Sequence, residues 1–236
     1  MEQVERLSLP VMSYQKCWDL QRQRVSLCQQ GGPGAVIFVE HRPVITLGRA
    51  GRQNSLTATD ADLERAGIEL VHSNRGGDIT YHGPGQLVIY PILNLRQLAK
   101  GVHDYFRALE EVTLQTLSDF GVCGHRSSLG TGVWALHPQK GSCKIASMGI
   151  HIARWVTSHG VALNVCNSLD HFSYIVPCGL TGIEVTSMSE ILGASIGRAD
   201  VEDAFWSHLV TEFDLADFYG TSKATSGVAE SQNSGR

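Results

Sequence analysis

Lys144-Ile145-Ala146-Ser147-Met148-Gly149-Ile150-His151-Ile152, followed after Ala153-Arg154-Trp155 by Val156-Thr157-Ser158-His159-Gly160-Val161-Ala162-Leu163-Asn164-Val165, is the most continuous β signal in the chain. Thr131 to Leu136 precedes it as a third run of the same kind. Adjacent runs joined by short connections predict an antiparallel meander. The period of two places Ala146, Met148 and Ile150 on the same face as Lys144, with Ser147 and Gly149 alternating. A lysine entering an apolar strand ordinarily snorkels at the strand's edge. The sharper reading is that partial burial disfavours its charged form, so that near neutral pH it takes a proton from a thiol. Lys140, in the preceding loop, competes for that role.

Outward from the meander, the pattern alternates strands and helices. Val4 to Leu9 reads as a strand. Ser13 caps a helix whose positions Tyr14, Cys17, Trp18, Val25 and Cys28 recur at helical spacing until Gly31-Gly32-Pro33-Gly34 stops it. Ala35 to Glu40 and Val44 to Leu47 read as strands, Asp60 to Ala66 as a short helix, and Ile68 to His72 and Gln86 to Leu95 as strands flanking a glycine-rich stretch. Val102 to Phe120 forms an amphipathic helix ended by Gly121, and Val201 to Phe213 a last helix. The Ser/Thr/Gly-rich tail predicts disorder over 221–236 after one domain over 1–220.

The chain has 236 residues, enough for one substantial core, and a net charge of −4. No block of like charge suggests a nucleic-acid or membrane surface, so any site for a charged partner must be local. The six cysteines form no Cys-x-x-Cys pair and no zinc-ligand spacing. Neither a disulfide framework nor a metal is expected. A reducing compartment fits best: the cytoplasm, or a mitochondrion or plastid if the chain is a processed form.

Four segments carry a composition that is costly for a mere core. In Arg75-Gly76-Gly77-Asp78-Ile79-Thr80-Tyr81-His82-Gly83-Pro84-Gly85-Gln86, paired glycines let backbone approach a ligand and Arg75 offers a forked donor. The same residues also suit a tight turn with a surface arginine, and the two readings stand even. Neither a Walker loop nor a dinucleotide fingerprint is present. The second segment is Lys144 to Gly149. The third, Thr157 to Asn164, contains His159-Gly160. His82 and His159, each followed by glycine, either position a substrate or serve as an alternative base. The fourth, Pro177-Cys178-Gly179-Leu180, sets a thiol in a sharp bend, with the Gly179 and Leu180 amides available to a developing oxyanion. Cys17, Cys28 and Cys166 suit inert packed positions, and Cys143 puts a second thiol beside the proposed base.

Together these segments resemble the octanoyltransferases of lipoate biosynthesis. Arg75 to Gln86 looks like that family's RGG-[DQ]-x-T-[YF]-HGPGQ segment, and Lys144 to Gly149 its K-I-x-[SA]-[LIM]-G segment. Thr157 to Asn164 matches its HG-[LV]-ALN segment and Ile175 to Gly179 its PCG segment, in the family's order over about residues 4–213. The resemblance implies an α/β fold of α+β type shared with biotin and lipoate protein ligases: a mostly antiparallel or mixed sheet flanked by helices, with a smaller sheet at one side. It implies Cys178 as acyl-thioester nucleophile and Lys144 as the group that activates it. It further implies an acyl site lined by Arg75, Gly76, Gly77, Asp78, Ile79, Thr80, Tyr81, His82, Ser147, Met148, Gly149, Gly160, Val161 and Ala162, with His159 and Asn164 in support. The expected donor is acyl carrier protein with its phosphopantetheine arm. The expected acceptors are lipoyl domains of 2-oxoacid dehydrogenase E2 subunits and the glycine cleavage H protein. No ATP, metal or other cofactor is expected, and the enzyme is expected to be a monomer. Rival readings are an ATP-dependent lipoate or biotin ligase, a non-catalytic acyl or lipoyl-domain binder, and a thiol hydrolase pairing Cys178 with His159.

Overall fold

A computed structural model describes residues 3–52, 55–128, 130–176 and 182–217. Cys178 and the tail over 221–236 lie outside the described residues.

The predicted meander forms. Strands β8 (Val133–His137), β9 (Gly141–Ala153) and β10 (Val156–Asn164) pair antiparallel in sequence. The β9–β10 turn is only Arg154-Trp155, both at positive φ (51° and 69°), the twist that a two-residue hairpin requires. β10 then pairs with β6 (Gln86–Ile92), β6 with β2 (Gly34–Val39), and β2, in parallel, with β1 (Gln3–Ser8). With β7 (Gly124–His125) and β11 (Ala216–Asp217) at its edges, this is an eight-stranded mixed sheet. β3 (Val44–Leu47), β4 (Glu69–His72) and β5 (Ile79–His82) form a separate three-stranded sheet in the order β4-β3-β5.

Helices cover both faces of the large sheet. α1 (Tyr14–Gln29) buries Cys17 and Cys28 against Ile37, Val39, Val88 and Ile92. Ser13 occupies its N-cap with extended backbone, but the Ser13 side chain makes no capping bond, which departs from the expectation. On the other face, α3 (Val102–Asp119) and α5 (Arg198–Phe213) pack Leu109, Val112, Phe205 and Leu209 onto Val36, Phe38, Leu87 and Ile89. α2 (Asp60–Ala66), closed by a Thr59/Asp62 capping box, supplies Leu63 to a third cluster under the small sheet. α4 (Met188–Leu192) is a further short helix, and Asp170–Tyr174 form a 3-10 turn. No helix among the described residues is long and apolar enough to cross a membrane.

One expectation about β9 fails. Val133 pairs with Ala146 but Trp134 pairs with Lys144, so one extra residue, Ile145, is inserted in β9. Such a β-bulge resets the alternation. Ile145, Ala146 and Met148 therefore enter the core beneath α3, Met148 also reaching the cavity, while Lys144 falls on the face of Ser147 and Gly149. The inserted residue turns the lysine away from the apolar stripe with which its sequence spacing groups it.

Candidate active site

The site lies where β5 of the small sheet faces β9 and β10 of the large one. A cavity partly open to solvent brings three of the four segments together. Arg75, Gly77, Asp78, Ile79, Thr80 and His82 come from the first, Lys144, Ser147, Met148 and Gly149 from the second, and His159, Gly160, Val161 and Ala162 from the third. The fourth, with Cys178, lies outside the described residues. Its flanks are fixed: the Val176 amide donates to the Ser55 carbonyl at 2.8 Å, and beyond it the Glu184 carbonyl accepts from the Lys144 amide at 2.8 Å.

Glycines set the shape of the cavity by letting backbones meet. A Cβ on Gly149 would stand 2.6 Å from the Gly76 carbonyl oxygen, and one on Gly76 would stand 3.0 Å from the Ile150 carbonyl, to which the Gly76 amide donates at 2.8 Å. A Cβ on Gly160 would meet the Ile89 carbonyl at 2.3 Å. The Gly76 position thus serves strand-to-loop packing, and of the paired glycines it is Gly77 that reaches the cavity.

Arg75 is buried and lines the cavity, but its guanidinium also serves the fold. Nε donates to Thr46 Oγ1 (3.1 Å), Nη2 to the same hydroxyl and the Thr46 carbonyl, and Nη1 to the Gly76 carbonyl (3.0 Å). Asp78 accepts from the Arg52 amide (3.1 Å) and the Ser55 hydroxyl (2.8 Å). Thr80 and Ser147 face each other at 3.5 Å across the two sheets. Tyr81 faces away from the cavity, packing on Phe172 with its hydroxyl 2.9 Å from His171 Nδ1.

Lys144 is 3% exposed, with its amine 6.0 Å from the centroid of the Trp134 ring, within reach of a cation–π contact. Gly132 leaves room for its arm, because a Cβ there would come 3.1 Å from Lys144 Cε. Lys140, the competing lysine, is surface-exposed, paired with Glu190 and held protonated above its ordinary range by that carboxylate; it does not line the cavity. Cys143 is fully buried, and burial pushes its thiol up.

Asn164 lies off the cavity and ties it together. Its Nδ2 donates to the Thr186 carbonyl (3.0 Å), and its Oδ1 accepts from Gln86 Nε2 (2.9 Å). Gln86 Oε1 in turn lies 2.8 Å from His82 Nδ1, and the Thr186 amide donates to the Lys144 carbonyl at 3.0 Å. A continuous polar chain therefore runs from His82 to the backbone of Lys144.

Sequence reasoning missed Tyr14, Val88, Tyr90 and Thr131, which also line the cavity. Tyr14 was legible only as a buried helix position, and Tyr90 only as part of an apolar strand. With His41, His82 and His159 the two tyrosines form a buried aromatic cluster: Tyr14 stacks on His82 at 6.0 Å and 10°, and Tyr90 Oη lies 2.8 Å from His41 Nε2. Burial holds His41 at about 4 and His159 at about 3, and drives His82 well below its usual value. All three are neutral near pH 7, and burial raises both phenols, which keeps them protonated. His41 Nδ1 faces the Met12 carbonyl (3.2 Å) and so carries the proton, leaving Nε2 to accept from Tyr90. His159 sits at φ 56° with its amide donating to Gln21 Oε1 (2.9 Å) and Nε2 facing Asn74 Oδ1 (2.7 Å). A histidine at about 3 is a poor general base near neutrality, which weakens the hydrolase reading.

The cavity thus combines an apolar lining of Ile79, Val88, Met148, Val161 and Ala162 with neutral hydrogen-bonding groups and a buried lysine. Among solved structures the chain is similar to a bipartite lipoate protein ligase of Thermoplasma acidophilum (TM-score 0.68, 14% identity, 92% of this chain and 86% of that one). It is also similar to the biotin protein ligase of Aquifex aeolicus (TM-score 0.54, 13% identity, 91% and 70%). At these identities the likeness establishes the fold, which agrees with the architecture expected from the sequence. Residues 13–210 match the lipoyl protein ligase A/B catalytic domain, so the chain belongs to that class of catalytic domain. Two curated relatives narrow the class. The octanoyltransferase of Solibacter usitatus is 46% identical over 214 residues, covering 90% of this chain and 94% of that protein. That of Syntrophobacter fumaroxidans is 43% identical over 209 residues, covering 88% and 90%. The chain belongs to the octanoyltransferase family and is an acyltransferase of protein lipoylation.

Proposed function

We propose that this enzyme takes its octanoyl group from octanoyl-acyl carrier protein, holds it as a thioester on Cys178, and delivers it to the target lysine of a lipoyl domain. It acts as a monomer in the cytoplasm, without ATP or metal. The acceptors are lipoyl domains of 2-oxoacid dehydrogenase E2 subunits and the glycine cleavage H protein. The observation that carries this reading is Lys144: a buried lysine on the wall of a largely apolar cavity, its main chain hydrogen-bonded to Glu184 and Thr186, shortly after Cys178 in the chain.

In the first half-reaction Lys144 accepts the Cys178 thiol proton and the thiolate attacks the carbonyl carbon of the incoming thioester. The tetrahedral intermediate collapses with loss of the carrier's thiolate, which takes the proton back from Lys144. One thioester is exchanged for another, nearly isoenergetically. In the second half the acceptor lysine attacks as a neutral amine, and a free lysine, with a pKa of about 10.4, is almost wholly protonated at pH 7. Its nitrogen loses a proton to Lys144 as the amide forms, and Lys144 passes that proton to the departing Cys178 thiolate. Thioester becomes amide, so the step runs downhill without ATP. The apolar lining receives the acyl chain, each buried methylene contributing about 0.8 kcal/mol.

Intact-mass measurement after incubation with octanoyl carrier protein, without ATP, tests the reading on wild type, Cys178→Ser and Lys144→Met. The wild type gains an octanoyl adduct that hydroxylamine removes and an apo-lipoyl domain discharges; neither variant does. Transfer that requires ATP, or that persists in Cys178→Ser, overturns the reading.

A further inference from the structure

The net charge of −4 opposes an anionic donor, so attraction of such a donor must come from a local patch. The loop after β3 provides one. Its backbone is pinned to the lip of the cavity: the Gly48 amide donates to the Asp78 carbonyl (2.7 Å), that of Arg49 to the Arg75 carbonyl (2.9 Å) and that of Ala50 to the Gly77 carbonyl (3.0 Å). The Arg52 amide donates to the Asp78 carboxylate, and the Ser55 carbonyl receives the Val176 amide. The loop therefore borders the cavity lip on one side and Val176 on the other.

Arg49 and Arg52 project from this loop, exposed, and neither makes an ion pair with a described residue. They share this with the exposed Arg42, Arg96 and Arg154, whereas Arg6, Arg22, Arg24, Arg65, Arg107, Arg126 and Arg198 each have a carboxylate partner; what distinguishes Arg49 and Arg52 is the loop that carries them, bonded to the residues of the cavity lip. The nearest acid on the loop's own contacts, Asp78, already accepts from the Arg52 amide and the Ser55 hydroxyl. The charge of Arg49 also reaches β9, where, with burial, it lowers the pKa of His151. Two guanidinium groups without an ion pair among the described residues, carried on a loop whose backbone is tied beside the cavity by four main-chain hydrogen bonds and a fifth to the Asp78 carboxylate, have the chemistry of a phosphate receptor, since the planar fork matches phosphate oxygens.

We infer that Arg49 and Arg52 bind the phosphodiester of the donor's phosphopantetheine arm and thereby direct its thioester end into the cavity. This rests on the donor assignment above. Three donors test it: octanoyl carrier protein, octanoyl-4′-phosphopantetheine and octanoyl-pantetheine, which lacks the phosphate. Acylation kinetics are compared for wild type, Arg49→Gln, Arg52→Gln and the double variant. The KM for both phosphate-bearing donors rises about tenfold per arginine, the size of one lost charge-assisted hydrogen bond, with kcat unchanged. Octanoyl-pantetheine is used equally well by all four proteins. Wild-type KM for the phosphate donors climbs with salt, and the double variant flattens that dependence. Equal losses on all donors, no loss on any, or a loss confined to the carrier protein each overturn the inference, the last by assigning the arginines to the protein surface of the carrier. A wild type that no donor acylates refutes the donor assignment itself and takes this inference with it.

Discussion

Replacing Gly149 by alanine adds one methyl group at the point where β9 meets the Arg75-Gly76-Gly77 loop. The new Cβ would lie 2.6 Å from the Gly76 carbonyl oxygen and 3.4 Å from Arg75 Cδ. Gly149 is not among the glycines at positive φ, so the substitution is penalised by space alone. The obstructing atom is backbone, and the Gly76 amide is hydrogen-bonded to the next residue of the same strand. The loop cannot swing aside without breaking that bond. Overpacking of this kind costs about 1–3 kcal/mol, which for a chain of this size lowers Tm by roughly 3–9 °C. Because the displaced loop carries Arg75, Gly77 and Asp78 into the cavity, acyl-enzyme formation slows as well. Gly193→Ala is the control: Gly193 has φ 63° with nothing within 4 Å of its built Cβ. It pays about 1 kcal/mol of backbone strain and leaves acylation unchanged. Thermal melts and acylation rates of the two variants decide the matter. An unchanged Tm and rate in Gly149→Ala refute the idea that the two glycines are there for clearance.

Asn164→Leu removes the acceptor shared by Gln86 Nε2 and Asn167 Nδ2 and the donor to the Thr186 carbonyl, and costs about 2–4 kcal/mol in urea unfolding; a loss under 1 kcal/mol counts against the polar chain. Stability falls as pH drops from 7 to 5. The unfolded chain takes up histidine protons near 6.5, whereas folded His41 and His159 do so only at about 4 and 3. Between those limits the unfolded state binds more protons and gains, by on the order of 1 kcal/mol per histidine per pH unit. His159→Asn, which tolerates the left-handed backbone, shallows the slope of urea midpoint against pH; an unaltered slope refutes the contribution. Met148→Trp fills part of the cavity, and the ratio of kcat/KM for octanoyl over butanoyl donors should fall; an unchanged ratio removes Met148 from the acyl wall.

The three-stranded meander and the helices Asp60–Ala66, Val102–Asp119 and Arg198–Phe213 were legible because each is declared by a local period or cap. Strand Ile79–His82 was hidden: its four residues are buried on both faces and sit between glycines, so no alternation marks them. The facing of Lys144 was misread because a bulge is a property of two paired strands and leaves no trace in one of them. The cavity's tyrosines were missed for a related reason. Tyr14 meets Ser73 at 2.9 Å and His159 at 3.4 Å, contacts that only the packing of α1 across the sheet creates. The segments that were singled out share a different kind of signal, a residue type too costly to keep without use, such as an arginine, a lysine or a histidine beside glycine. Three of them meet in one cavity, while the fourth lies outside the described residues.

The polar chain from His82 through Gln86 and Asn164 to Thr186 and Lys144 also bears on how the enzyme is born. On a ribosome Lys144 emerges well before Thr186, and although β9 pairs with β10 from Ala146 onward, the backbone of Lys144 itself has no partner on that side until the later segment docks. Until then the cavity has no finished wall. Because domains fold as units once their long-range partners are available, a nascent or prematurely ended chain carries the cavity-lining segments without the contact that closes them around Lys144. The cavity wall at Lys144 is therefore completed late, by a segment far beyond it in the chain.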